Sequence, residues 1–288
     1  DQLGYDWLSR VDDVRFWRIN ALIFGQARCN QGSHFLYIEQ YITSMITRKT
    51  IIYKHSPSSL NWRGNDLIDW VDGGSIYSLD GTFHSSSIMY AYKFDAAIQS
   101  DHGVYAVVYE KLGTKGLLLK NGKILKELNR SYYQANAYEY PIAFIKINDE
   151  YAMVHCPENY RQIEVEQVET GKRLISSLHR EPDDCFHSRF RVNDSQTILI
   201  NAGWCWHPVG ILESYDVQKA LEDPSIFDKL SWHLPINAEV CSAAFLNDDL
   251  IVISSTDEES FDEELTSYLE PSFPSTSIMP SIYLNIPN

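Results

Sequence analysis

The chain has 288 residues, of which 44% are hydrophobic and 13% aromatic, and its formal net charge is −15. This composition indicates a folded globular protein rich in the ring side chains that favour strands. No apolar run is long enough to cross a bilayer, which argues against a membrane partner. The acidity argues against a nucleic-acid partner, because phosphate backbones would be repelled. A basic protein is therefore the expected partner.

The N-terminal segment, residues 1–18, is too charged for a signal peptide and predicts an irregular or short helical lead-in. A cytoplasmic location is expected, with a removed secretion signal left open because the chain does not begin with Met. The five cysteines are scattered, odd in number and without a C-x-x-C pair. This pattern is poor evidence for a disulfide framework or a zinc site. Buried, reduced thiols are therefore expected, and no cofactor or metal is predicted.

A unit of strand, polar turn and strand recurs along the chain. In its clearest copy, a strand at 188–192 is followed by a turn at 193–196, a second strand at 197–202 and a third at 211–216. Equivalent positions of three successive copies, Ala97, Ala143 and Arg189, are 46 residues apart in each step. A fixed period of this length, with about four short strands and no intervening helix, is typical of a β-propeller blade.

The sequence therefore predicts an all-β fold, a single β-propeller domain over residues 1–288. Six four-stranded blades are expected, with five or seven left open; they fall near 19–54, 60–83, 90–128, 138–178, 186–232 and 238–288. Stacking such sheets radially buries the faces that one small sheet cannot cover alone.

Three departures from the repeat are expected in the last part of the chain and at its start. A helical segment at 216–221 should stop near Pro224, and an acidic insertion at about 255–280 interrupts the last blade before a strand at 281–286. The N-terminal stretch 14–24 is the expected donor of the strand that closes the last blade.

The regular region also carries a recurrent pattern of apolar strand, Asx-rich turn, apolar strand and x-Gly-Lys-x-Leu, at 121–125 and 170–174. From 90 to 254 the chain resembles WD40-like and related bacterial β-propeller repeats. The Gly-His and Trp-Asp dipeptides of WD40 repeats are absent, so the resemblance lies at the level of the fold. It implies a propeller and no particular activity, since propellers host unrelated functions.

The most unusual local run is Gly-Trp-Cys-Trp-His-Pro at 203–208. In an extended conformation Trp204 and Trp206 share one face, while Cys205 and His207 share the other. One interpretation is an aromatic binding surface for a protein or a sugar, with His207 as a polar contact. The other is packing of two large rings between blades.

Asp183, Asp184 and His187 precede the inner strand of the same copy, so they are candidates for the mouth of a central channel. There they could serve a metal or catalysis, or they could simply hydrogen-bond the turn. A metal site needs three or more convergent ligands, which this spacing does not supply, and none is assigned.

The acidic insertion mixes carboxylates with apolar side chains. It is either a solvated loop or a docking segment for a basic protein, in which charges steer the encounter and rings add affinity. The residues that would contact the partner are Asp257, Glu258, Glu259, Phe261, Asp262, Glu263 and Glu264.

No G-x-S-x-G, HExxH or glycine-rich phosphate loop is present, so no catalytic residue is assigned. The expected function is that of a non-enzymatic propeller acting as a protein–protein interaction module, with an immunity-like or inhibitory role toward a basic partner. The alternative is a ligand-, glycan- or metal-binding propeller, or a propeller enzyme, that uses the central channel or the run from Trp204 to His207.

Overall fold

A computed structural model describes residues 13–18, 23–29, 36–41, 50–175, 180–205, 209–230, 240–248, 250–255 and 281–285. This part of the chain is mostly β-sheet with few helices. The chain divides into two compact units, Asp1–Tyr109 with Leu117–Lys126 and Glu110–Gly116 with Glu127–Asn288. No described helix is long and apolar enough to span a membrane.

The first unit contains two four-stranded sheets and most of a third. Their orders are β1-β2-β3-β4, β5-β6-β7-β8 and β12-β11-β10-β9. The strands are β1 Asp13–Arg18, β2 Ile23–Cys29, β3 Leu36–Tyr41, β4 Ile51–Tyr53, β5 Asn61–Arg63, β6 Asp66–Asp69, β7 Ser75–Ser78, β8 Phe83–His84, β9 Ala96–Gln99, β10 Tyr105–Tyr109, β11 Lys115–Lys120 and β12 Lys123–Asn129.

The second unit contains three-stranded sheets, with orders β13-β14-β15, β16-β19-β20, β17-β18-β21 and β22-β23-β24. Its elements are β13 Ile142–Ile147, β14 Glu150–His155, β15 Glu164–Gln167, β16 Cys185–Phe186, β17 Arg191–Val192, β18 Ile198–Asn201, β19 Trp204–Cys205, β20 Val209–Gly210, β21 Glu213–Asp216, α1 Val217–Glu222, α2 Ser225–Asp228, β22 Val240–Phe245, β23 Leu250–Ser255 and β24 Ser281–Asn285.

The predicted turns occur where the Asx residues stand. Asn148 and Asp149 have φ values of 51° and 64° between β13 and β14, and Asn121 and Gly122 have 50° and 75° between β11 and β12. Two consecutive positive φ values match the right-handed twist of a hairpin, and Asn, Asp and Gly adopt them at least cost. The local sequence therefore sets the register of both hairpins.

The helical segment after β21 and the final strand also form as predicted. Asp216 caps α1 by accepting a hydrogen bond from the backbone N–H of Lys219 at 3.0 Å. β24 pairs antiparallel with β23. The acidic insertion that precedes β24 lies outside the described residues.

The prediction for the N-terminus is wrong in two respects. Residues 13–18 form strand β1 in place of an irregular or helical lead-in, and β1 pairs antiparallel with β2, its neighbour along the chain. The last sheet has three strands among the described residues, with no contribution from 14–24. A hairpin to β2 closes a far shorter loop than pairing with the C-terminal sheet would, so its entropic cost is lower.

The prediction of one strand over 188–192 is also wrong. Arg189 has a left-handed φ of 49°, which breaks the extended backbone and separates β16 from β17. The backbone N–H of Ser188 donates to Asn201 Oδ1 at 2.9 Å, and Arg189 Nε donates to Glu139 Oε1 at 3.1 Å. These contacts hold the kink, and the strands β16 to β21 consequently form two small sheets.

Each unit has its own apolar core. In the first unit the buried side chains of Ile68, Trp70 and Val108 belong to one cluster, and Leu67 and Tyr77 belong to another. In the second unit the largest cluster joins β13, β14, β15 and β18 to the two helices. The buried strand residues supply these cores, and β13 buries consecutive residues, so that both of its faces are covered. The number of blades stays a prediction.

Candidate functional site

The site is built on the short pairing of β16 with β19 in the second unit. The antiparallel register places Phe186 opposite Trp204, and the two rings stack with centroids 4.2 Å apart and planes 8° from parallel. Phe186 is fully buried, whereas Trp204 is partly exposed. The predicted binding residue Trp204 therefore stacks on the buried ring of Phe186.

Two tyrosines extend this stack. Tyr160 stacks on Phe186 at 4.4 Å and 21°, and Tyr133 lies 5.1 Å from Tyr160 and 6.0 Å from Phe186, ring centre to ring centre. Tyr133 is 45% exposed, so the stack reaches the surface. We call Tyr133, Tyr160, Phe186 and Trp204 the aromatic ledge.

The segment that carries Tyr133 is held by a buried arginine. Arg130 is 5% exposed and donates hydrogen bonds to the backbone carbonyls of Gly113, Lys111, Ala135 and Tyr138. Its guanidinium also lies 4.4 Å from the ring centre of Tyr138, and burial raises the pKa of this tyrosine to about 12. Because many carbonyls converge on one guanidinium, the loop has little freedom to move Tyr133.

Gly203 allows the two strands that carry Phe186 and Trp204 to approach each other closely. A Cβ on Gly203 would lie 2.3 Å from the backbone oxygen of Phe186 and 3.0 Å from Asn201 Oδ1. Neither atom can withdraw easily, since the first is backbone and the second is buried. The glycine at the start of the Gly-Trp-Cys-Trp run is therefore required by the close approach of β19 to β16.

The two predicted channel acids have different roles. Asp184 is exposed and accepts a hydrogen bond of 2.6 Å from the hydroxyl of Tyr160, so its carboxylate lies beside the ledge. Asp183 accepts from Lys229 Nζ and from the backbone N–H of Leu230, each at 3.0 Å. Burial raises the pKa of Asp183, but these hydrogen bonds outweigh it, and the net shift is downward. Asp183 therefore fixes the position of the segment that follows α2.

The third channel candidate, His187, is 2% exposed. Its Nε2 lies 2.9 Å from the Arg161 carbonyl oxygen and its Nδ1 lies 3.0 Å from Asn201 Nδ2. Since a carbonyl can only accept, Nε2 carries the proton and Nδ1 accepts from the amide. Burial lowers the pKa of His187 to about 4, although the hydrogen bond to the Arg161 carbonyl acts in the opposite direction.

This neutral histidine predicts a loss of stability in mild acid. An unfolded histidine titrates near about pH 6.5, so protonation there favours the unfolded chain. The stabilisation is complete above that pH and falls as the pH drops toward the folded pKa of about 4. We expect the free energy of unfolding to decrease by up to about 3 kcal/mol across this range, as measured by urea unfolding at a series of pH values. His187→Gln should flatten the dependence, whereas His84→Gln, at an exposed position, should not.

Sequence reasoning missed a buried ionic cluster next to this histidine. Arg180 Nε lies 3.0 and 3.1 Å from the carboxylate oxygens of Asp228, and Arg180 Nη1 lies 3.8 Å from Glu164 Oε1. All three side chains are at most 3% exposed. The partners are 16 and 48 residues from Arg180 along the chain, so no local spacing could have indicated the cluster.

The remaining predicted site residues lie outside the described part of the chain. These are Trp206, His207, Asp257, Glu258, Glu259, Phe261, Asp262, Glu263 and Glu264. Within the described part, no group of three or more His, Cys, Asp or Glu side chains could hold a metal ion.

No known protein family and no curated protein matches the chain. Solved structures do match. One of them is Hsv2 from Kluyveromyces lactis, which is 13% identical in sequence. The match covers 85% of this chain and 78% of Hsv2, with a TM-score of 0.50. Hsv2 from Kluyveromyces marxianus, also at 13% identity, is matched over 73% of its length by 82% of this chain, with a TM-score of 0.45.

The Kluyveromyces lactis match bears on the fold alone, because its identity is low. Hsv2 is a β-propeller, and this chain is accordingly a mostly β protein with a propeller-like fold. This agrees with the repeat that the sequence predicts between 90 and 254.

Proposed function

We propose that this chain is a non-enzymatic propeller that binds a basic protein partner, and that the aromatic ledge forms part of the contact surface. The observation that carries the proposal is the stack itself, which reaches the surface at Tyr133 and has the carboxylate of Asp184 beside it. Tyrosine and tryptophan are the residues that most often dominate the energy of protein interfaces.

The ledge has the chemistry that a cationic side chain requires. An aromatic face carries negative quadrupole charge, which attracts a guanidinium or an ammonium group. The chain's own Arg161 already lies 5.8 Å from the ring centre of Tyr160, so the ring that would receive a further cation is that of the exposed Tyr133. The carboxylate of Asp184 accepts one hydrogen bond from Tyr160, and a carboxylate has further lone pairs that can accept from an incoming arginine. An arginine or lysine of the partner could therefore make a ring contact and an ion pair together.

The charge of the whole chain supports the same partner. A net charge of −15 produces a long-range field that attracts basic proteins and speeds their encounter. The acids at 257–264 are proposed to contribute to this steering. Such a contribution falls as salt rises, because exposed charges are screened over about 10 Å at moderate ionic strength.

The test is capture of partners on the immobilised protein at low and high salt, identification by mass spectrometry, and measurement of Kd with the purified partner. We expect a basic protein that is released by salt and that binds Tyr133→Ser about tenfold more weakly, as for an interface hot spot. Tyr92→Ser is the matched control, since Tyr92 is also 45% exposed but belongs to the first unit.

If the partner bound Tyr133→Ser and the wild type with equal affinity, the aromatic ledge would not be part of the interface. A partner whose affinity is insensitive to salt, and to neutralisation of the acids at 257–264, would contradict the electrostatic part of the proposal. If instead a glycan raises the Tm and no protein is captured, the ledge serves a ligand, because a tryptophan face such as that of Trp204 can also stack on a sugar.

A further inference from the structure

Two cysteines face each other across the strand pair that builds the ledge. Cys185 on β16 and Cys205 on β19 are register partners in the antiparallel sheet. Directly opposed residues of such a pair have Cα atoms about 4.5–5.5 Å apart. A disulfide spans Cα separations of about 4.4–6.8 Å, and the separation typical of register partners lies within this range.

Both thiols are reduced and in contact with each other. Cys185 is 0% exposed and Cys205 is 7% exposed, and both pack in a small cluster with Ile211. A hydrogen bond between the two thiols, together with burial, raises the pKa of Cys185. The sulfur atoms therefore already point toward each other across the sheet.

Two further cysteines stand elsewhere in the second unit. Cys156 is buried in a different core cluster, and Cys241 is exposed. The opposition of Cys185 and Cys205 is thus a local property of β16 and β19.

We propose that Cys185 and Cys205 form a redox site that closes to a reversible disulfide by exchange with small disulfides such as oxidised glutathione. Cys205, the more exposed of the two, gives its proton to water, and its thiolate attacks one sulfur of glutathione disulfide and releases one glutathione thiolate, which takes up a proton. Cys185 then gives its proton to solvent, attacks the mixed disulfide and releases the second glutathione. Two protein thiols are oxidised, one glutathione disulfide is reduced, and two glutathione molecules leave.

The bond would cross-link the strands under the ledge. Phe186 and Trp204 adjoin the two cysteines in sequence and form the neighbouring register pair. The closed ring would also contain His187 and Asn201, whose side chains are hydrogen-bonded to each other. Because the unfolded chain loses entropy when it is cross-linked, the oxidised form should be more stable. The inference does not depend on the proposed function.

The test is incubation of the folded full chain with excess glutathione disulfide, followed by peptide mapping of the disulfides without reduction. We expect a peptide that links Cys185 to Cys205 and a rise in Tm of about 5 °C. Dithiothreitol should reverse both. Because buried thiols exchange slowly, the reaction should need minutes to hours.

Cys241→Ser is the control variant and should leave both results unchanged, whereas Cys205→Ser should abolish the linked peptide and the Tm shift. In the wild type, glutathionylation of Cys241 verifies that the oxidant is active. If Cys241 reacts while Cys185 and Cys205 remain free thiols, or if they link only in urea, the proposal is wrong.

Discussion

Asp228→Asn is expected to lower the free energy of unfolding by about 3–5 kcal/mol, because it removes the closer of the two carboxylates that face the buried guanidinium of Arg180 and leaves only Glu164, 3.8 Å away. The two side chains are each 3% exposed, and Arg180 Nε lies 3.0 and 3.1 Å from the two carboxylate oxygens. Arg180 Nη1 also donates to the Ile163 carbonyl at 2.7 Å. An arginine fixed in this way cannot turn to solvent when its partner is neutralised.

Urea unfolding followed by circular dichroism measures this effect. Glu158→Gln is the matched control, since it also removes a carboxylate from an arginine pair, but at a side chain that is 70% exposed; exposed pairs contribute about 0–1 kcal/mol. The double variant Arg180→Met with Asp228→Leu should recover part of the loss, because it removes both charges of this pair, while Glu164 keeps Arg173 Nη1 at 4.0 Å. A cost for Asp228→Asn no larger than that for Glu158→Gln would show that the buried pair does not stabilise the second unit.

The hairpins of the regular repeat could be predicted because their signals are local. The turns at Asn121 and Asn148 adopt positive φ values that their residue types favour, and the apolar runs on either side of the Asn148 turn pair as β13 and β14. The 46-residue spacing extends this pattern from Ala97 to Ala143, both of which lie in strands at equivalent positions.

The 46-residue repeat no longer predicts the backbone conformation where contacts between residues distant in sequence determine it. Arg189 occupies the next repeat position, yet its backbone is left-handed because the backbone N–H of its neighbour Ser188 and its own side chain are bound by residues 13 and 50 positions away. A strand propensity averaged over neighbours contains no information about such partners. The same limit applies to β1, whose pairing with β2 overrode the expected closure of the last blade.

The same distinction between local signals and contacts of distant residues applies to the candidate site. The sequence indicates Trp204 as unusual because two tryptophans stand close together, and it places Asp184 near the same strand. It gives no sign that Tyr133 and Tyr160 join Trp204, since the stack is assembled through Phe186 across separations that only the folded sheet brings together. The ledge therefore depends on one buried phenylalanine.

Phe186→Ala is accordingly expected to lower the free energy of unfolding by about 3–5 kcal/mol and to disrupt the stacking of the aromatic ledge. The ring is 0% exposed and contacts Trp204 and Tyr160 on its two faces, with Tyr138 edge-on at 5.1 Å and 61°. Its removal leaves a cavity that the flanking strands can fill only partly, since Gly203 and Arg130 hold the neighbouring backbone.

Urea unfolding measures the cost, and the near-ultraviolet circular dichroism of the stacked rings reports the ledge. Phe186→Leu, which keeps most of the volume but not the stacking, should lose a smaller part of the stability while still losing most of the ring signal. Phe83→Ala is the control, because Phe83 is only partly buried and belongs to a cluster of the first unit. An undiminished ring signal in Phe186→Ala would mean that Tyr133, Tyr160 and Trp204 keep their places without the central ring. The surface proposed for the partner would then rest on the loop held by Arg130 and on β19 alone.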